Sequence, residues 1–169
     1  MEKLRLIVPK PEHKTTVIDF REEFLNAGEK VSGGVGLEQV ENYEDWLYGK
    51  YIPHYGQVDE RIFLAFNDHN DLVGISDLRL GTNDFIKTYA GQIGYSVRPS
   101  QRGKGYASEI LNLTLVEAVK YGFSKILITC NEPNIASAKV IEKNGGILEK
   151  TIPHPGFPDV KRYYINLPN

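Results

Sequence analysis

A short glycine-rich segment, residues 97–107, reads Val-Arg-Pro-Ser-Gln-Arg-Gly-Lys-Gly-Tyr-Ala and lies between a predicted strand and the clearest predicted helix. The first turn of a helix carries backbone N–H groups without intrahelical partners and a partial positive charge. Gly103 and Gly105 have no side chain to keep an anion from these groups, and Arg102 and Lys104 add charge. The alternative is a tight loop whose glycines only satisfy backbone geometry. The agreement of glycines, basic residues, strand and helix favours an anion site.

Strands and helices are predicted on both sides of this segment. Apolar residues recur at helical spacing in 15–27, 43–51, 104–121 and 134–143. Strand-like runs cover 4–8, 61–67, 72–80, 91–98, 125–130, 146–152 and 161–167. We expect residues 91–130 to form a parallel, right-handed β-α-β crossover and the other strands to be antiparallel. The predicted fold class is therefore a mixed, mostly antiparallel α/β sheet flanked by helices, in a single domain over residues 1–169.

Composition excludes several classes of protein. The net charge of −2 gives no electrostatic footprint of a nucleic-acid binder. The single cysteine, Cys130, excludes a disulfide framework and a multi-cysteine zinc site and fits a reducing compartment. The N-terminal apolar run is too short for a signal peptide, and the apolar stretch 62–66 is far below the ~20 residues of a membrane helix. We expect a cytoplasmic protein with no membrane partner, and the scattered histidines predict no metal.

Two nucleotide-binding motifs do not fit residues 97–107. A P-loop requires Gly-x-x-x-x-Gly-Lys followed by Ser or Thr, a spacing that the sequence lacks. A dinucleotide fingerprint requires Gly-x-Gly-x-x-Gly, whereas Ser108 stands at the third glycine position and no acidic residue follows about 20 residues later. A nucleotide-binding domain that imitates the glycine pattern is kept as a third hypothesis.

Two segments resemble the GNAT superfamily of N-acetyltransferases. Residues 102–107, Arg-Gly-Lys-Gly-Tyr-Ala, resemble its Arg/Gln-x-x-Gly-x-Gly/Ala signature, and residues 134–146, Asn-Ile-Ala-Ser-Ala-Lys-Val-Ile-Glu-Lys-Asn-Gly-Gly, are similar to its second cofactor segment. The predicted order of elements matches the superfamily nearly from end to end. The resemblance implies the GNAT fold, in which the strands before and after the signature helix splay apart. It also implies acetyl-CoA as co-substrate, with its pantetheine arm in the gap.

The resemblance assigns roles to individual residues. The pyrophosphate would be held by the amides of Arg102, Gly103, Lys104, Gly105, Tyr106 and Ala107. The pantetheine arm and thioester would be lined by Tyr95, Ser96 and Val97 on one side and by Asn131, Asn134 and Ser137 on the other. A main-chain N–H near Val97 would polarise the thioester carbonyl. The implied reaction is direct attack of an amine on the thioester.

Residues that move protons are harder to identify. Many superfamily members carry a tyrosine in the second segment that is implied to protonate the departing thiolate, and here that position is Ile141. Asp77, on a predicted central strand, and Tyr164, on the closing strand, are candidate catalytic residues. An ion-paired or surface aspartate and a hydrogen-bonded structural tyrosine are the competing interpretations. Glu38 and Glu60 border loops and are expected to be solvated.

The sequence therefore predicts an acyltransferase that moves an acetyl group from acetyl-CoA to a primary amine of a small molecule or peptide. Substrate choice is expected in residues 26–57, whose glycine-rich part 28–36 is predicted to be a mobile loop, and in residues 153–159. Residues 154–158 are predicted to be a stiff loop, suited to a pocket mouth or a homodimer contact. Because the usual tyrosine is absent, a non-catalytic acyl-CoA-binding sensor or regulatory module remains the alternative.

Overall fold

The computed structural model describes residues 3–168. Strands and helices follow one another in the order β1 Arg5–Ile7, α1 Lys14–Asn26, α2 Tyr43–Leu47, β2 Glu60–Phe66, β3 Leu72–Arg79, β4 Ile93–Val97, α3 Tyr106–Lys120, β5 Lys125–Asn131, α4 Ile135–Lys143, β6 Ile147–His154 and β7 Phe157–Asn166. A single turn of π-helix, Ile86–Ala90, precedes β4. No helix within the described range is both long and apolar enough to cross a membrane.

The strands form two sheets, with the orders β1-β2-β3-β4 and β5-β7-β6, in which every pair is antiparallel. The two sheets contact each other at the residues that immediately precede the edge strand β4. There Gly91 forms a bridge to Ile128 of β5, and the Gln92 N–H donates to the Leu127 carbonyl at 2.8 Å. The Gln92 side-chain oxygen also accepts the Leu127 N–H at 2.7 Å. In a continuous sheet this N–H would donate to a backbone carbonyl of the neighbouring strand. The mixed α/β fold is confirmed.

The prediction of a parallel strand pair within the crossover of residues 91–130 is not met, because the crossover joins two sheets and its one bridge within the described range, from Gly91 to Ile128, is antiparallel. The crossover runs from β4 through α3 to β5, but no strand pairing beyond Gly91 and Gln92 links β4 to β5 among the described residues. The ends of the two strands at Val97 and Asn131 are left unpaired with each other. This is the splayed arrangement that the GNAT resemblance implies.

Helix α3 carries the longest helical repeat of the sequence into the core. Its buried residues recur at helical spacing and are Tyr106, Ile110, Leu111, Thr114, Leu115 and Ala118. The Thr114 hydroxyl lies 2.7 Å from the Ser76 hydroxyl of β3 and donates to the Ile110 carbonyl at 2.7 Å, so the polar atoms on this face are satisfied. Packing on β3 and β4 fixes the position of the helix N-terminus beside the end of β4.

The segment predicted as a mobile loop is instead docked on β4. Gly33 and Gly34 are buried, and a Cβ atom on Gly33 would lie 2.6 Å from the Gly94 carbonyl oxygen, so only glycine fits. The Trp46 Nε1 donates to the Gly34 carbonyl at 2.7 Å, and the Ser96 hydroxyl donates to the Ser32 carbonyl at 2.7 Å. Close backbone approach, rather than mobility, explains the glycines.

The prediction of a stiff loop at residues 154–158 is wrong. Strands β6 and β7 continue through this region, and His154 pairs with Phe157 across a turn of two residues. Gly156 has a φ of 82°, which a turn this tight needs and which residues with a side chain rarely adopt. The segment is thus the tip of a β-hairpin.

Candidate active site

The glycine-rich turn lies directly before α3. Gly103 and Gly105 have φ values of 79° and 81°, in the left-handed region, and Gly105 is the N-cap of the helix. The Glu109 N–H donates to the Gly105 carbonyl at 3.4 Å, and the amides that precede it in the first turn have no intrahelical acceptor. A Cβ atom on Gly103 would meet no atom within 4 Å. The turn thus combines helix-terminal amide donors with open space, the arrangement that binds phosphate groups.

The two basic side chains of this turn have partners at its edge, and the Arg102 Nε also donates to the Val97 carbonyl at 3.2 Å. Arg102 pairs with Glu29 at 2.8 Å, with the two side chains 45% and 40% exposed, and the Lys104 ammonium donates to the Gln101 amide oxygen at 2.8 Å. The hydrogen bond from Arg102 lowers the pKa of the Glu29 carboxyl. Exposed ion pairs contribute about 0–1 kcal/mol, so an incoming anion can exchange for Glu29 at small cost.

The gap between β4 and β5 contains a cluster of side chains from three elements. The Tyr95 hydroxyl of β4 lies 2.8 Å from the Ser137 hydroxyl of α4, and burial raises the pKa of the nearby Cys130 thiol of β5. Asn134 caps α4 as predicted, because its side-chain oxygen accepts the Ser137 N–H at 3.1 Å. Asn131 and Asn134 are exposed at the rim of the gap.

The end of β4 presents a backbone donor to the same gap. The Arg98 N–H donates to the Val73 carbonyl of β3 at 2.8 Å. Successive amides of a strand point to opposite sides, so the Val97 N–H points away from β3. The Ser96 hydroxyl, by contrast, is engaged by Ser32 on the docked loop. The Val97 N–H therefore lies outside the β3–β4 ladder.

A buried ion pair fixes the start of β4. Asp77 has no exposed surface and accepts hydrogen bonds from the Arg79 Nε at 3.0 Å, the Gly94 N–H at 3.0 Å and the Tyr55 hydroxyl at 3.3 Å. The Arg79 Nη1 donates to the carbonyls of Ala90 and Gly91 at 3.0 and 2.9 Å. Arg79 and Asp77 together thus hold the backbone from residue 90 to residue 94, where the two sheets separate.

Comparison with known proteins identifies the family. The family model described as acetyltransferase (GNAT) domain matches residues 5–147. This chain belongs to the GNAT acetyltransferase family. A relative from Bacillus subtilis (strain 168), the uncharacterized N-acetyltransferase YnaD, is 30% identical over 124 residues, which are 62% of this chain and 71% of that protein. The predicted N-acetyltransferase enzyme is confirmed, and nothing supports the non-catalytic sensor.

Solved acetyltransferases share the fold of this GNAT protein. RimL, a ribosomal alpha-N-protein acetyltransferase in complex with coenzyme A, has a TM-score of 0.72 at 19% identity, covering 97% of this chain and 94% of that chain. The spermidine N-acetyltransferase of Vibrio cholerae, in complex with CoA and spermine, has a TM-score of 0.67 at 20% identity, covering 96% of this chain and 95% of that chain. At these identities the likeness shows the fold.

Glu60 is a half-buried carboxyl group beside Asp77 whose surroundings the sequence did not reveal. The expectation of a solvated Glu60 is wrong, because a carboxyl oxygen of Glu60 accepts from the buried Tyr55 hydroxyl at 2.6 Å. Burial and the neighbouring Asp77 raise the pKa of Glu60 to about 8. Glu60 lies opposite Arg79 in the β2–β3 register, a pairing that could have pointed to it had the register been known.

The pKa of Glu60 predicts a pH dependence of stability. An unfolded glutamate ionises near pH ~4.3, whereas the folded state keeps this proton until a pH of about 8. Between these values the folded state binds more protons, so the free energy of unfolding should fall as pH rises, by at most about 1.4 kcal/mol per pH unit. Urea denaturation at a series of pH values from 5 to 8 should show that the free energy of unfolding falls less steeply with pH in Glu60→Gln than in wild type. The control is Glu12→Gln, because the Glu12 side chain is 74% exposed. In this variant the free energy of unfolding should depend on pH as it does in wild type.

The remaining candidates of this GNAT protein lie outside the gap. Tyr164 pairs in register with Leu127, near the point where β4 and β5 meet, and its ring lies 4.2 Å from the Lys125 ammonium. Ile141 is fully buried in the core. Glu38 is half-buried and accepts the Val31 N–H at 3.4 Å. Within residues 3–168 no group of three or more His, Cys, Asp or Glu side chains is placed to hold a metal ion.

Proposed function

We propose that this GNAT enzyme transfers the acetyl group of acetyl-CoA to a primary amine by direct attack. The observation that carries the proposal is the left-handed glycine turn at the N-terminus of α3, placed beside the unpaired end of β4. A diphosphate suits this turn because amide donors, the helix dipole and the exchangeable Arg102 converge there. The amides of residues 102–107 would hold it. Acetyl-CoA supplies an activated acyl group with a thiol as leaving group.

Residues of the chain would contribute mainly positioning and polarisation. Tyr95 and Val97 on β4 and Ser137 on α4 would line the pantetheine arm, with Asn131 and Asn134 at its outer end. The Val97 N–H would donate to the carbonyl oxygen on which negative charge develops, an effect typically worth a few kcal/mol of barrier. Holding the amine and the acyl group together would lower the entropic part of the barrier.

Asp77 and Tyr164 would have structural rather than proton-accepting roles in this proposal. The Asp77 carboxylate already accepts from Arg79, Gly94 and Tyr55 and has no exposed surface. Its role would be to position β4. The Tyr164 hydroxyl lies 3.4 Å from Arg162. Tyr164 pairs with Leu127 near the start of β5, where the two sheets are in contact, and not with the end of β5 that borders the gap. Tyr164 would support the second sheet.

The acceptor amine would bind on the side of the protein where the docked loop, residues 28–36, lies. A cavity of about 410 Å³ lies between the segment after α2 and the start of β2, and its lining includes Trp46, Tyr48, Tyr51 and Glu60. Aromatic faces favour a cationic ligand, as an amine is before it loses a proton. A small-molecule or peptide amine would fit. A homodimer remains part of the proposal, supported by the exposed side chains of Ile147 and Phe157 on the β6–β7 hairpin.

The test is turnover on a panel of amines. The enzyme would be incubated with acetyl-CoA and polyamines, amino acids, antibiotic amines or peptide N-termini, with free thiol and acetylated product as readouts. We expect at least one amine to give both products in equal amounts. Calorimetry with acetyl-CoA, ATP and NAD should show preference for acetyl-CoA. Preference for ATP or NAD would reject the proposal.

A further inference from the structure

Gln92 connects the two sheets at the position where they separate. Its N–H donates to the Leu127 carbonyl of β5 at 2.8 Å, and its carbonyl accepts the Arg79 N–H of β3 at 2.8 Å. Its side-chain oxygen accepts the Leu127 N–H at 2.7 Å. Gln92 therefore stays bonded to β3 through its backbone and still satisfies both backbone polar groups of Leu127.

The backbone carbonyls next to the Leu127 N–H already have other donors. The Gln92 carbonyl is turned toward β3, and the Gly91 carbonyl accepts from the Arg79 Nη1 at 2.9 Å. Because successive carbonyls of a strand alternate in direction, the next one that faces β5 belongs to Ile93. Ile93 lies within β4, on the side where the strands have separated, so the Leu127 N–H could reach it only if β4 and β5 moved together.

The backbone that leads to Gln92 has little freedom to move. A Cβ atom on Gly91 would lie 2.8 Å from the Leu127 carbonyl oxygen, so the two sheets are in close contact there. Five consecutive backbone carbonyls, those of residues 87–91, accept hydrogen bonds from side chains of both sheets, which are Arg79, Thr129 and Arg162. Because this segment is held, the side-chain amide of Gln92 decides how the Leu127 N–H is paired.

We propose that Gln92 is a positioning residue that keeps the gap between β4 and β5 open for the pantetheine arm of acetyl-CoA. This inference rests on the proposed function, in which the arm lies in this gap. By accepting the Leu127 N–H, the Gln92 side chain replaces the carbonyl toward which β5 would otherwise move. The gap is then open before the ligand arrives, and binding does not have to separate the strands.

Loss of the side-chain oxygen should favour a narrower gap. Leu127 is buried, and a buried N–H without an acceptor is unfavourable. The variant protein should therefore favour the state in which β4 and β5 lie closer and the Leu127 N–H reaches Ile93. Coenzyme A would bind only the molecules with an open gap, so its apparent Kd would rise as their fraction falls.

Calorimetry with two probes tests the proposal. One probe is coenzyme A, and the other is its nucleotide half, adenosine 3′-phosphate 5′-diphosphate, which contains the diphosphate but no pantetheine arm. Gln92→Met keeps the length of the side chain but removes the amide oxygen. It should raise the Kd for coenzyme A by about tenfold and change the Kd for the nucleotide half by less than about twofold. Gln92→Glu should keep the wild-type ratio of the two constants, because its carboxylate oxygen accepts the same N–H.

The matched control is Asn67→Leu. Asn67 is buried at the turn between β2 and β3, and its side-chain oxygen accepts the N–H groups of His69 and Asp71 at 3.0 and 2.9 Å. The variant removes the same kind of hydrogen bond away from the gap. It should lower the stability of the protein and leave the ratio of the two Kd values as it is in wild type.

The two probes separate the inference from the proposed function. Equal Kd values for coenzyme A in wild type and Gln92→Met would overturn the role of Gln92. An equal loss of affinity for both probes would also overturn it, because that pattern comes from a general loss of structure. Should Gln92→Met not fold, Gln92→Asn takes its place, since its side chain is too short to reach the Leu127 N–H, and wild-type affinity for both probes would then overturn the role. A wild type that does not bind coenzyme A would reject the proposed function and the inference with it.

Discussion

Replacement of Asp77 by asparagine is expected to lower the free energy of unfolding by about 3–5 kcal/mol. The substitution keeps the shape of the side chain but leaves the Arg79 charge without its counterion, where the two side chains are 0% and 7% exposed. A buried unpaired charge is one of the most costly changes in a folded protein. Urea denaturation should show a lower midpoint with an unchanged slope, which identifies a stability effect.

The surface pair between Asp19 and Arg98 provides the matched control. It joins the same two residue types at 2.6 Å, but the Asp19 side chain is 72% exposed. Asp19→Asn should therefore cost less than about 1 kcal/mol. Replacing Asp77 and Arg79 together by leucine and methionine should recover much of the lost stability, because no charge is left unpaired. A loss below about 1 kcal/mol in Asp77→Asn would contradict this expectation and show that ionised Glu60 or solvent replaces Asp77 as the partner of Arg79.

The elements that the sequence predicted well are those with a strong local signal. Helix α3 begins at Tyr106 rather than at the predicted residue 104, because Gly105 adopts a left-handed conformation and ends the turn there. The Asn134 cap of α4 and the buried strand β5 lie as predicted. The glycine turn before α3 could be predicted for the same reason, since its glycines and the helix are contiguous in sequence.

The features that were missed depend on pairings between distant residues. Glu60 and Arg79 face each other only through the register of β2 and β3, and no local pattern fixes that register. The docking of Gly33 on Gly94 depends on two glycines that are 61 residues apart in sequence. Glycine-rich composition alone does not distinguish a mobile loop from a close backbone contact. The sequence therefore could not predict that these residues contact one another around the candidate active site, although it contains each of them.

Gly105→Val is expected to weaken acetyl-CoA binding by more than tenfold, which corresponds to a loss above ~1.4 kcal/mol. The branched side chain would stand beside the helix-terminal amides that are proposed to hold the pyrophosphate. Gly105 also has a φ of 81°, so valine would add backbone strain that costs stability by about 1–2 kcal/mol. Calorimetry measures the affinity, and urea denaturation measures the strain.

Gly122→Val at the other end of α3 separates these two effects. Gly122 has a φ of 89° and no atom within 4 Å of an added Cβ, so the variant carries similar backbone strain without a proposed ligand contact. If both variants lose similar stability but only Gly105→Val loses affinity, the loss comes from the diphosphate contact. If both keep wild-type affinity, the diphosphate binds elsewhere and residues 102–107 are only a turn. The two glycines lie at opposite ends of the same helix. A general destabilisation of α3 would therefore lower the affinity in both variants and would not produce a loss in Gly105→Val alone.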